Sequence, residues 1–151
     1  NLNLVVKEHP IMIGRRKVKY YNKLRNLPNV KVISHTIETK KIIPNNKCKG
    51  VVVISGTAGF EAALLGKPVF IFSKTFYAKL KNVFSLESFN EFTNKLKNID
   101  NIISDKKEIE KLVSFLHENS FELSYSLAYS KKIDINNILA AYLKKIDELN
   151  L

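Results

Sequence analysis

The stretch that decides the fold runs from Val53 to Phe72 and reads VISGTAGFEAALLGKPVFIF. Its β-branched start predicts the end of a strand, and the alanine- and leucine-rich centre predicts a helix over residues 57–65. Gly66 and Pro68 are typical of a helix stop. A second strand is expected at residues 69–72, so the stretch predicts a strand–helix–strand unit with parallel strands.

The turn between the first strand and the helix is small and polar. In open α/β sheets, ligands bind where strand carboxyl ends meet helix amino ends, and the helix dipole attracts phosphate there. Ser55, Gly56, Thr57 and Gly59 are candidate contacts for such a group, and Glu61 lies within reach of ribose or sugar hydroxyls. An ordinary tight turn, with Thr57 capping the helix, explains the spacing equally well.

The rest of the chain extends this pattern in both directions. Strands are also predicted at residues 2–6, 30–33 and 50–54, and the continuous apolar character of the first and third of these favours buried strands. Helices are predicted at residues 17–27, 38–43, 86–96, 106–118, 121–130 and 135–149. We therefore expect one α/β domain over residues 1–151, with a Rossmann-like parallel sheet in a βα core at 1–83 and a mainly helical part at 84–151.

Charge is concentrated at the front of the chain. The 151 residues have a net charge of +11, and residues 1–50 hold twelve lysines and arginines against only Glu8 and Glu38. Such an excess favours an anionic partner, although a solvated lysine surface is an equally good interpretation. The single cysteine, Cys48, cannot form an intramolecular disulfide. No apolar run approaches the roughly 20 residues of a membrane span.

Polar side chains follow each of the four predicted strands. The clusters are Lys7-Glu8-His9, Ser34-His35-Thr36, Ser55-Gly56-Thr57 and Ser73 to Tyr77. Parallel strands place all of these at one edge of a sheet. His9 is the candidate proton donor, because imidazole titrates near neutral pH, while His35 is a weaker candidate and His117 is expected on a helix surface. No ligand spacing suggests a metal site, and neither a dinucleotide fingerprint nor a P-loop is present.

Several of these residues resemble a run in bacterial capsular and surface polysaccharide biosynthesis proteins, including transferases similar to the Kdo transferases of capsule linkers. The resemblance covers about residues 4–83. It rests on Val6 to Pro10, Gly14-Arg15-Arg16, Tyr20-Tyr21, Leu27 to Val30, Ser55 to Ala62, Gly66 to Val69 and Phe76-Tyr77. The family usually has glycine after the aromatic residue of the fourth strand, where this chain has Ser73.

The resemblance implies the C-terminal, donor-binding half of a GT-B glycosyltransferase, an inverting enzyme without a protein-bound metal or other cofactor. Its donor would be a nucleotide sugar, with CMP-Kdo the first choice and a UDP- or GDP-sugar the alternative. His9-Pro10 and Ser55-Gly56-Thr57 would hold the donor phosphate, with His9 catalytic. Lys7, Gly59 and Glu61 would complete the donor contacts, and His35 would serve the nucleobase or its loop. The acceptor's general base would lie in an N-terminal half, outside this chain.

Further expectations concern partners and location. The acceptor would be a glycan or glycolipid, and the enzyme would act in the cytoplasm, in peripheral contact with the anionic inner face of the membrane. The chain begins at Asn1, so we expect a piece of a longer, two-domain protein. One alternative is a nucleotide-sugar epimerase of the same shape. Another is a non-enzymatic basic module for nucleic acid or anionic membrane, and buried strands would leave it no exposed sheet face for stacking bases.

Overall fold

A computed structural model describes residues 2–120, 140, 143 and 144. The strands are β1 (Leu4–Lys7), β2 (Val30–Ile33), β3 (Val51–Val53), β4 (Val69–Ile71) and β5 (Val83–Ser85). The helices are α1 (Val18–Arg25), α2 (Thr39–Ile42), α3 (Thr57–Leu64), α4 (Phe89–Lys97) and α5 (Lys106–Glu118), with short 3₁₀ helices at Pro10–Met12 and Ile99–Asn101. The chain divides into two compact units, residues 1–106 and 107–151.

All strand pairs of the first unit are parallel, which confirms the predicted α/β class. β1 pairs with β2, and Leu4 lies opposite Val30. The other strands form a three-stranded sheet in the order β3-β4-β5, with Val51 and Val83 opposite Val69 on its two sides. The five strands thus form two hydrogen-bonded sheets among the described residues. Parallel pairing puts the carboxyl ends of paired strands at the same edge.

The core lies around the central strand β4, whose three residues are fully buried. Ala62 and Ala63 on α3 have no exposed surface, and their small side chains allow the helix to approach the sheet closely. On the other side, Phe70 packs with Leu86 and Ile99. Burying these apolar side chains is the main contribution to the stability of the unit.

Two burial predictions were wrong. Val52 of β3 is 44% exposed, and both Leu4 and Val5 of β1 are about half exposed. Successive side chains of a strand point to opposite faces, and α3 packs on the face of β3 that carries Val53, so Val52 lies on the other face. β1 belongs to a two-stranded sheet, and its first two residues are exposed on both faces. An apolar run does not distinguish an edge strand from a central one.

The region after β4 also differs from the prediction. β5 was not predicted, because a three-residue strand is defined only by its pairing with β4. The helix expected from residue 86 begins at Phe89, where the hydroxyl of Ser88 accepts a hydrogen bond from the Glu91 amide. The helix at 106–118 is confirmed. The helices predicted at 121–130 and 135–149 lie outside the described residues.

Candidate functional site

The turn after β3 leads directly into α3. Gly56 is the residue before the first helical turn and has extended backbone angles, while Thr57 is the first helical residue. No side chain caps this helix end, so the interpretation of Thr57 as the cap was wrong. The first amides of a helix have no partner within the helix. Those of α3 are therefore the ones that a ligand at this turn would meet.

Two hydroxyl groups from the segment after β4 hold the turn. Ser73 Oγ donates to the carbonyl oxygen of Ile54 across 2.6 Å, and the hydroxyl of Tyr77 donates to the carbonyl oxygen of Gly56 across 3.2 Å. The rings of Phe60 and Phe76 pack against Tyr77. Tyr77 is buried, and that burial raises the pKa of its hydroxyl. The segment therefore fixes two carbonyl groups of the turn.

Gly59 is buried on the inner side of α3. A Cβ atom at this position would lie 2.6 Å from both the hydroxyl of Tyr77 and Cγ2 of Val53. Nothing lies within 4 Å of a Cβ atom built on Gly56, which faces open space. The two glycines of the turn thus have different environments: Gly59 is needed for packing, and Gly56 leaves room beside the helix start.

His9 lies just after β1 and is exposed. It precedes the 3₁₀ helix that starts at Pro10, and its Nδ1 accepts a hydrogen bond from the amide of Ile11 across 3.2 Å. A neutral imidazole with Nδ1 as acceptor carries its proton on Nε2. The fold therefore orients the ring so that Nε2 is the nitrogen left to donate.

A cavity of about 340 Å³ joins residues from three separate parts of the chain. Lys7 comes from the end of β1, His35 from the loop after β2, and Glu61 from the second turn of α3. The sequence predicted all three as site residues. The remaining lining residues are Pro10, Thr36, Ile37, Glu38, Thr39 and Lys40. The cavity joins the clusters after β1 and β2 to Glu61 of α3, but the turn before α3 and the segment after β4 are absent from its walls, so only part of the predicted convergence of loops is seen.

Short polar contacts shape the walls of the cavity. Thr39 Oγ1 donates to Glu61 Oε2 across 3.1 Å, which links the start of α2 to α3. In the loop after β2, the hydroxyls of Ser34 and Thr36 are 2.8 Å apart and the Thr36 amide donates to Ser34 Oγ. The carboxylate of Glu61, which Thr39 holds by one oxygen, can accept hydrogen bonds from the hydroxyl groups of a sugar or ribose.

The other predicted site residues do not line this cavity. His9, Ser55, Gly56, Thr57 and Gly59 are absent from its walls. Ser55, Gly56 and Thr57 are exposed at the turn before α3. The structure thus brings Lys7, His35 and Glu61 together, and the roles of all the predicted residues stay predictions.

Sequence reasoning missed three contributors. Glu8 was named only as part of a polar cluster, yet its carboxylate accepts hydrogen bonds from three groups. Thr39 was not singled out, although a hydroxyl one residue after Glu38 at the start of a short predicted helix was a visible signal. The bond of Tyr77 to Gly56 spans 21 residues and left no local signal.

The described part of the chain contains no group of three or more His, Cys, Asp or Glu side chains placed to hold a metal ion. Nor does it contain a helix that is both long and apolar enough to cross a bilayer.

Comparison with protein families gives a match to this chain. The family model described as capsule polysaccharide biosynthesis protein matches residues 1–108, more than half of the chain. The chain belongs to this family. The curated proteins include no match, and neither do the solved structures.

Proposed function

We propose that this chain is the donor-binding half of a GT-B glycosyltransferase that acts in capsule polysaccharide biosynthesis. Membership of the capsule family supports a biosynthetic role of this kind. The observation that carries the proposal is the cavity in which Lys7, His35 and Glu61 meet at the carboxyl ends of β1 and β2. A cation and a carboxylate in one cavity can bind the phosphate and the hydroxyl groups of a nucleotide sugar.

The residues divide naturally between the parts of the donor. Lys7 and the amides at the start of α3 suit the phosphate, because both offer positive charge and N–H donors. Glu61 suits the hydroxyl groups of ribose or of the transferred sugar, and His35 suits the nucleobase. Ser55, Gly56 and Thr57 would approach the phosphate at the turn. Gly59 would contribute by letting α3 pack closely beneath it.

His9 is the proposed catalytic residue. Breaking the bond between the sugar and the nucleotide leaves negative charge on the departing phosphate oxygen. Donors fixed in advance stabilise that charge, and they need no rearrangement when it forms. His9 suits this task because Nδ1 is engaged by the amide of Ile11, so that Nε2 can donate. The chemistry is inverting and requires no metal held by the protein.

The donor proposed first is a CMP-sugar such as CMP-Kdo, which follows from the resemblance described above. The basic front half of the chain suits an anionic donor and the anionic inner face of the cytoplasmic membrane. The acceptor would be a glycan or glycolipid, and the acceptor's general base would lie in an N-terminal half outside this chain. Nucleic acid is not a proposed partner: the exposed side chains of β1 and β3 are aliphatic, whereas base stacking needs aromatic rings.

Calorimetry tests the proposal. The chain is titrated with CMP, UDP, GDP and CMP-Kdo, and the affinity for each is measured. We expect one nucleotide to bind preferentially. His9→Ala and Thr57→Val should each weaken it by roughly tenfold or more, since a hydrogen bond to a charged group contributes about 1.5–3 kcal/mol. Thr93→Val, in α4, is the matched control.

Other outcomes would favour the alternatives. Tight RNA binding that falls steeply with salt and is unaffected by the two substitutions would indicate a nucleic-acid module. Release of a free epimerised sugar by the protein together with its N-terminal half would indicate an epimerase. Absence of binding to every nucleotide tested would contradict the proposal.

A further inference from the structure

The carboxylate of Glu8 is the centre of a hydrogen-bond network beside His9. Its Oε1 accepts from the amide of His9 across 3.1 Å. Its Oε2 accepts from Nε of Arg16 across 2.8 Å and from the hydroxyl of Tyr21 across 3.0 Å. Only 16% of the Glu8 side chain is exposed. Charge-assisted hydrogen bonds of this length are among the stronger ones in proteins.

Two of the three donors lie at the ends of one loop, and the third lies in the helix that follows it. His9 begins it, Arg16 lies near its end, and Tyr21 lies in α1. Within the loop, Gly14 has a φ of +73°, a backbone conformation that glycine adopts without strain. Glu8 therefore closes the loop from His9 to Arg16 and joins it to α1.

Ring contacts reinforce the closure. The guanidinium of Arg16 lies 4.9 Å from the ring centre of Tyr20, and the rings of Tyr20 and Tyr21 meet edge to face at 5.3 Å. The guanidinium of Arg16 thus contacts both the carboxylate of Glu8 and the aromatic face of Tyr20. An arginine held at two contacts has little freedom left, which makes the loop end a fixed point.

The pKa of Glu8 agrees with this geometry. Burial acts to raise the pKa of the carboxyl, but the hydrogen bonds from Tyr21 and His9 and the charge of Arg16 outweigh it, so the pKa is lowered. Glu8 therefore stays ionised at neutral pH. A carboxylate with a lowered pKa and three donors already bound is poorly suited to act as a general base.

We propose that Glu8 is a positioning residue that fixes the backbone and ring of His9 for the donor phosphate. The proposal rests on the proposed function of His9. Glu8 does not contact the donor, since its oxygens are directed at protein donors and its charge would repel a phosphate. Its effect reaches the donor through two routes: the bond to the His9 amide and the closure of the loop that begins there.

Glu8→Gln tests this role, because the amide keeps the size of the side chain and removes its charge. Affinity for the nucleotide preferred by the wild type should fall about three- to thirtyfold, which corresponds to the loss of one or two oriented hydrogen bonds. Glu87→Gln, the same change on an exposed residue, should leave affinity unchanged. Tyr21→Phe removes one donor only and should cost about two- to fivefold.

Two further measurements separate positioning from general destabilisation. In proton NMR spectra of the full chain, the imidazole signals of His9 should shift in Glu8→Gln, while those of His35 and His117 should not. In a cycle with Arg16→Met, the double variant should bind the nucleotide no more weakly than the worse single variant, because both substitutions open the same loop.

The outcomes distinguish this inference from the function on which it rests. A wild type that binds no nucleotide overturns the proposed function. A wild type that binds, together with a Glu8→Gln variant of equal affinity and unchanged His9 signals, overturns the role of Glu8 alone. If Glu8→Gln does not fold, Tyr21→Phe decides: wild-type affinity and unchanged His9 signals in that variant also overturn the role.

Discussion

The hydroxyl of Tyr77 donates a hydrogen bond to the carbonyl oxygen of Gly56, 21 residues earlier in the chain. This single contact joins the segment after β4 to the turn that opens α3. In the same way, the hydroxyl of Ser73 donates a hydrogen bond to the carbonyl oxygen of Ile54. The turn predicted to meet the donor phosphate is thus supported from behind by a segment that the local sequence pattern does not connect to it.

Tyr77→Phe removes the hydroxyl and keeps the buried ring. We expect donor affinity to fall about fivefold, because a hydrogen bond contributes about 1 kcal/mol and the carbonyl of Gly56 loses its partner. Calorimetry with the preferred nucleotide measures this loss. Ser73→Ala should act in the same direction, while Ser85→Ala at the end of β5 should leave affinity unchanged. Unaltered binding in both turn variants would contradict the supporting role.

Gly59→Ala and Gly56→Ala form a matched pair. Alanine at 59 places a methyl group 2.6 Å from Tyr77 and Val53, so the free energy of unfolding should fall by about 1–3 kcal/mol. Alanine at 56 meets nothing within 4 Å and should change stability by less than about 0.5 kcal/mol. Urea unfolding of both variants measures the difference. Equal stabilities would show that a methyl group at position 59 is accommodated, which would contradict the close packing described there.

Asn82→Ala should be strongly destabilising. The side chain is fully buried, and its Nδ2 donates to the carbonyl oxygens of Ala63 and Lys67 at 3.0 and 2.8 Å. Its removal leaves one carbonyl in the last turn of α3 and one in the segment before β4 without this donor, at a cost of about 2–4 kcal/mol. Chemical unfolding gives the value, and Asn94→Ala on the exposed side of α4 is the control. A loss no larger than that of the control would refute the bridging role.

Thr39→Val tests the link between Thr39 and Glu61. Valine keeps the shape of threonine but cannot donate to the carboxylate, so Glu61 loses its fixed orientation in the cavity. Affinity for the nucleotide sugar should fall about three- to tenfold, with the melting temperature nearly unchanged, since the bond lies at an exposed position. Affinity for the nucleotide alone, without its sugar, separates loss of sugar contacts from loss of ribose contacts. Unchanged affinity for both ligands would contradict the link.

We expect the contribution of Glu8 to the free energy of unfolding to be lost in acid. Its pKa is lower in the folded chain than its ordinary value. The stabilisation is therefore complete above the ordinary pKa, near pH 4, and is lost as pH falls through the lower, folded value. Urea unfolding between pH 7 and pH 3 should show a smaller decline in Glu8→Gln than in the wild type. Parallel declines would show that Glu8 is not coupled to folding in this way.

The amino-acid sequence by itself determined the α/β class and most of the first unit. Strand β2 lies at the predicted residues, and α1, α2 and α3 each lie within a predicted helix. Local signals suffice for these elements because helix stops, turn glycines and apolar periodicity act over a few residues. Lys7 and His35 were named from their places after predicted strands, and Glu61 from its place in the predicted helix, and the fold brings these three residues to one cavity.

Only the tertiary structure decided the burial of the strands, the existence of β5 and the partners of the site. Val52 is exposed because it lies on the face of β3 opposite to the one that α3 covers, and a three-residue strand such as β5 exists only through its pairing with β4. The contacts of Glu8 with Tyr21, Thr39 with Glu61, and Tyr77 with Gly56 join residues 13 to 22 positions apart. Local propensity carries no information about such distances, because they are fixed by how the chain folds back on itself.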